Sequence, residues 1–135
     1  MTKKSQKKSS DVLTLALNKP WFDMIKSGVK TEEYREIKKS YISRFFDMKA
    51  ILKAFMNAGG PDDRDLAFSN AVDLDIWPLF LKKFNKLVLT CGYPKKTDSK
   101  RRLEFNFPKI AIDYGKPEWG AEPKKKYFVI TWKED

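Results

Sequence analysis

The chain contains no histidine. That excludes an imidazole general base, Ser-His and Cys-His nucleophile pairs, and His-ligated metals. It contains one cysteine, Cys91, which excludes a disulfide framework and a thiolate-cage zinc site. Cys91 closes an apolar run and reads as an inert small hydrophobe. Apolar runs end at about six residues, far short of the roughly twenty that a membrane-spanning helix needs. No apolar leader follows the basic start, so a cytoplasmic location without a membrane partner is expected. No cofactor and no metal site is expected either, and any catalysis would have to run on Lys and carboxylate chemistry.

What is present is charge and aromatic bulk. The 135 residues carry a formal net charge of +10, with ten Phe, five Tyr and four Trp. That length suits one domain, and that much apolar side chain excludes wholesale disorder. The charge is uneven. Residues 1–10, MTKKSQKKSS, hold four lysines and no acid, and predict a disordered basic arm ahead of a single domain at 11–135. Residues 57–81 hold five aspartates against Arg64, whereas residues 82–109 hold nine basic groups against Asp98 and Glu104. A concentrated basic stretch is a candidate footprint for a polyanion, or else a solvated surface that keeps the chain soluble.

Val12 to Leu17 reads as a buried central strand. Asn18 or Lys19 suits a helix N-cap, Pro20 the first turn, and Gly28 the closing left-handed cap, with Trp21, Phe22 and Ile25 facing inward. Thr31 to Glu36 reads as a second strand that points Glu33 and Arg35 to one face. The stripe Tyr41, Phe45, Met48, Leu52, Phe55 predicts one helix over 38–57, ended by Gly59-Gly60-Pro61. The acidic stretch 62–75 reads as irregular, and 76–84 as a short helix or connector. Strands are expected at 87–91, at 102–114 with a bulge at Pro108, and at 127–132. Leu103, Phe105 and Phe107 are expected to face inward. The sum is α+β: a small mixed β-barrel of five to six strands with two or three helices.

The densest polar cluster is Lys30-Thr31-Glu32-Glu33-Tyr34-Arg35. One acid beside two bases orients a polar ligand through charge-assisted hydrogen bonds, and Arg grips phosphate or carboxylate bidentately. An ordinary salt-bridge ladder on an exposed strand would give the same spacing.

Gly28-Val29-Lys30-Thr31-Glu32-Glu33-Tyr34-Arg35 resembles the G-x-K-x-x-E-x-R signature of the ASCH family in the PUA-like superfamily. Upstream, Leu13 to Trp21 is similar to that family's first strand and Lys-Pro helix start. Downstream, Gly92-Tyr93, Gly115 to Ala121 and Tyr127 to Ile130 are similar to the closing half of small phage- and bacteria-type members. The likeness spans roughly residues 12–132, and the segment 38–85 departs from it as a longer helix-and-loop insertion. It implies a PUA-like barrel with a ligand cleft formed by Lys19, Lys30, Glu33, Arg35, Tyr93 and Trp119, and RNA or a nucleotide as partner. Lys95, Lys96, Lys100, Arg101 and Arg102 are then expected on the nucleic-acid backbone. Tyr34, Tyr93, Trp119 and Trp132 are candidate stacking faces, Trp132 being the one most expected in the core.

One branch of the family deacetylates N4-acetylcytidine with a Lys, a Thr and a later Glu. Lys30 matches the Lys, Glu33 stands where the Thr would be, and the later Glu has no clear counterpart. No catalytic residue is therefore assigned, Lys30 and Glu33 remaining the candidates for a hydrolase acting on a modified nucleoside. A third reading makes 38–85 a grip for a protein partner.

Overall fold

The computed structural model describes residues 11–60 and 62–133. The basic arm expected at 1–10 lies outside them. The chain forms two compact units, one drawn from the residues up to Ile37 and from Phe84 onward, the other Lys38–Lys83.

The first unit holds five strands: β1 (Val12–Leu17), β2 (Glu33–Arg35), β3 (Lys86–Cys91), β4 (Arg102–Tyr114) and β5 (Lys126–Lys133). They form one sheet in the order β1-β3-β4-β5-β2. Only β1 and β3 run parallel; the other pairs are antiparallel. The expected α+β class with a mixed sheet is therefore observed. The sheet is not closed: among the described residues β1 and β2 are its edges.

The position of β1 corrects the sequence expectation. An unbroken apolar run reads as a strand buried on both faces, yet β1 lies at an edge and alternates, with Leu13, Leu15 and Leu17 buried and Val12 and Thr14 exposed. Those leucines pack in the same core as Leu87 and Leu89 of β3, Phe128 and Ile130 of β5, and Phe22 and Ile25 of helix α1 (Lys19–Lys26). Each such side chain contributes about 1.5–3 kcal/mol by leaving water.

In β4 the register slips between Asn106 and Lys109, so Phe107 and Pro108 together oppose Trp132. Phe107 takes φ 49 and is 60% exposed, not inward as the alternation implied. The extra residue turns it out, as a bulge does. Trp132 stacks on Phe105 with ring centroids 5.0 Å apart, both rings half-buried.

The second unit is helical: α2 (Lys39–Phe45), α3 (Met48–Asn57), α4 (Arg64–Asp73) and a 3₁₀ turn at Trp77–Phe80. Two expectations are overturned here. The helix expected over 38–57 breaks at Phe46-Asp47. Asp47 caps α3 by accepting from the Ala50 N–H at 3.1 Å, and its own N–H donates to the Phe80 carbonyl at 2.9 Å. The acidic stretch expected to be irregular is α4, whose N-cap Asp63 accepts from the Leu66 N–H at 3.1 Å. Acid at a helix start is favourable because it meets unpaired N–H groups. Phe45, Phe46, Ile51, Ala67, Phe68 and Ala71 are the buried side chains of this unit.

No helix among the described residues is long and apolar enough to cross a membrane.

Candidate ligand cleft and basic loop

The cleft is built by what happens after α1. Asn18 occupies the N-cap position in extended conformation without a side-chain cap bond, and Pro20 sits in the first turn. Gly28 takes φ 85 and donates to the Ile25 carbonyl at 3.0 Å. The Lys30 N–H then returns to the Met24 carbonyl at 3.0 Å. This reversal exposes Val29 and drives the Lys30 side chain into the protein, where the residue is 2% exposed.

There the Lys30 ammonium donates to Glu33 Oε1 at 2.9 Å and to the Trp119 carbonyl at 3.2 Å. Glu33 Oε2 accepts from Arg35 Nε at 3.0 Å, and Arg35 also donates to the Ala16 carbonyl at 2.8 Å. Strand alternation places Glu33 and Arg35 on one face of β2, as the pattern predicts. Arg35 thereby ties the edge strand β2 to the other edge, β1. Lys30 and Arg35 thus share one carboxylate, and the cleft beside them also carries Glu36 and Glu122 on its wall.

The Trp21 and Tyr34 rings cover the Lys30 ammonium at 5.0 and 5.2 Å from their centroids. Cation–aromatic contacts of this kind contribute about 2 kcal/mol when desolvated. Above them opens a cleft of about 260 Å³, lined by Trp21, Lys30, Glu33, Tyr34, Glu36, Trp119, Gly120, Glu122 and Tyr127. Two glycines of the loop between β4 and β5 allow this. Gly120 has φ 100, and a Cβ there would lie 3.0 Å from Trp21 Cζ2. A Cβ on Gly115 would lie 2.7 Å from Ala121 Cβ and 2.8 Å from Tyr34 Cζ.

At the rim, Lys125 pairs with Glu36 at 2.8 Å and with Glu122 at 3.5 Å. The hydrogen bond it donates to Glu36 is the main cause that pushes the Lys125 ammonium up. The Tyr34 hydroxyl donates to Glu32 at 2.7 Å and accepts from the Lys116 N–H at 3.0 Å. Burial raises the Tyr34 phenol well above the usual tyrosine range. The Lys116 N–H opposes this and Glu32 adds to it.

That shift has a consequence at high pH. The folded chain holds the Tyr34 proton more tightly than the unfolded chain, so its share of stability is present below about pH 10 and lost as pH rises beyond that. Tyr34→Phe is expected to lose stability less steeply than the parent above pH 10. Urea unfolding across an alkaline series checks this, and parallel slopes would contradict it.

The remaining expected site residues lie elsewhere. Lys19 is exposed on the first turn of α1 and pairs with Asp23 at 2.7 Å, and this bond raises its ammonium. Tyr93 is 96% exposed in the turn after β3. Neither Lys19 nor Tyr93 lines the cleft, and Arg35 acts from behind Glu33. Lys95, Lys96, Lys100 and Arg101 are exposed on the loop between β3 and β4. Arg101 lies 3.5 Å from Asp98. Arg102 instead turns inward and donates to the Pro94 carbonyl at 3.0 Å, while its buried Nε has no hydrogen-bond partner.

Residues that the sequence did not single out for the cleft are Trp21, Glu36, Gly120, Glu122 and Tyr127. Trp21 matched a core-facing helix position, Gly120 and Tyr127 entered only through the family likeness, and Glu36 and Glu122 meet the cleft only through the fold. Among the described residues no group of three or more acidic or cysteine side chains is placed to hold a metal ion.

No protein-family model, no curated protein and no solved structure matches the chain. The likeness to the ASCH family rests on the Gly28–Arg35 signature and its flanking segments alone.

Proposed function

We propose that the chain is an ASCH-like module of PUA type that binds RNA or a nucleotide in the cytoplasm, holding one base in the cleft over Lys30. One observation carries this reading: the buried Lys30–Glu33 pair, backed by Arg35, lies at a small cleft walled by Trp21, Tyr34 and Trp119. The volume lies just under the about 300–1,000 Å³ of ordinary small-molecule sites, which suits a single base and not a dinucleotide. Aromatic walls accept any base by stacking, and the polar floor reads its edge. The bond from Arg35 to Ala16 across the sheet edges supports a PUA-like barrel arrangement.

Recognition is proposed ahead of hydrolysis because both Glu33 oxygens accept from cations, which suits Glu33 to a positioning role.

Tryptophan fluorescence with the four ribonucleoside monophosphates and with single-stranded RNA at low salt tests the reading. Binding is expected, and Trp119→Ala is expected to weaken it about 5- to 150-fold, the equivalent of the about 1–3 kcal/mol of one base–aromatic stack. No binding by any of these ligands, or an unchanged affinity in Trp119→Ala, would overturn it.

A further inference from the structure

The edge of the sheet that launches α1 also launches the basic loop. β1 and β3 are parallel neighbours with Leu17 opposite Cys91, and the Gly92 N–H donates to the Leu17 carbonyl at 2.9 Å. Asn18-Lys19 and Gly92-Tyr93 therefore leave the sheet side by side. Two residues after Lys19, Trp21 forms a wall of the cleft, against Gly120 and over Lys30. The first turn of α1 therefore runs from beside Gly92, where the basic loop begins, to the cleft wall at Trp21.

Lys19 occupies that turn with its side chain 76% exposed. Its bond to Asp23 is an exposed, solvent-screened surface pair, which a phosphate can displace readily. The Arg101 charge acts on Lys19, which is consistent with both cations serving one surface. Tyr93, almost fully exposed at the start of the loop, adds an aromatic face among these cations.

We propose that the cleft, the first turn of α1 and the β3–β4 loop form one continuous site for single-stranded nucleic acid. One base enters the cleft, the adjoining phosphate passes Lys19, and the following phosphates meet Lys95, Lys96 and Lys100 with Tyr93 as a second stacking face. This rests on the cleft reading above and gives Lys19 and Tyr93 a role outside the cleft. A duplex does not fit, because the base in the cleft must leave its stack. Alternating cations and aromatic faces along a groove is how strands are held without sequence preference.

Fluorescence titration with uridine monophosphate and with oligouridylates of increasing length distinguishes the two readings. Affinity is expected to rise about tenfold or more between the monophosphate and strands of roughly four to six nucleotides, and then to level off. Replacing Lys19, Lys95, Lys96 and Lys100 together by Ala is expected to weaken the longer strand about tenfold more than the monophosphate. It should also reduce the slope of log affinity against log salt by about 0.7 per cation removed. A monophosphate that binds while longer strands gain nothing overturns the continuous site and leaves the cleft reading standing. Equal competition by duplex RNA also overturns it. Binding of neither probe removes the cleft reading and this inference with it. Equal affinity for deoxyribose strands supports the site and assigns it to single strands of either sugar.

Discussion

Glu33→Gln is expected to lower the unfolding free energy by about 3–5 kcal/mol, the usual loss when one partner of a buried ion pair is removed. The side chain is 8% exposed between Lys30 at 1% and Arg35 at 13%. An amide in that place removes the carboxylate that both cations share. Lys30→Met acts differently. It removes one cation and leaves the Glu33–Arg35 pair neutral in sum, at the expense of an unmet Trp119 carbonyl and a lost contact with Trp21 and Tyr34. Its loss is expected nearer about 1–3 kcal/mol, the range for one buried polar group left unpaired. Urea unfolding midpoints at constant slope measure both. A Lys30→Met loss equal to or larger than that of Glu33→Gln would contradict the charge arrangement.

The polar half of the cleft was legible because it is local. Lys30, Glu33 and Arg35 lie within six positions, and strand alternation alone puts Glu33 and Arg35 on one face. The turn before them is marked by Pro20 and Gly28, each of which occupies the position its backbone geometry suits. The aromatic half was not legible. Trp119 lies 89 positions from Lys30, and Trp21 meets Gly120 only once the loop before β5 folds back over α1. No periodicity carries that information. The edge position of β1 was hidden for another reason: Val12 and Ala16 fill outward positions with apolar side chains, so the alternation seen in the fold is masked in the sequence.

Phe46→Ala is expected to destabilise the helical unit by about 3–5 kcal/mol, as truncation of a buried Phe does. Phe46 is 1% exposed, meets Phe68 edge-on with centroids 5.0 Å apart, and lies 6.1 Å from Trp77. Its backbone is extended, with φ −121 and ψ 149, and bridges to Leu81. This is the place where the sequence stripe misleads. Tyr41, Phe45, Met48, Leu52 and Phe55 keep helical spacing straight through the break, so periodicity predicts one helix. The break comes from Asp47, which is an N-cap, and from residues 80–82, which pair with the extended stretch. Asp47→Ala tests the cap separately and is expected to cost only about 1 kcal/mol. Chemical denaturation followed by far-ultraviolet circular dichroism measures both variants. The order of the two losses decides the matter: if Asp47→Ala destabilises more than Phe46→Ala, the cap and not the buried ring holds α2 and α3 in their broken arrangement.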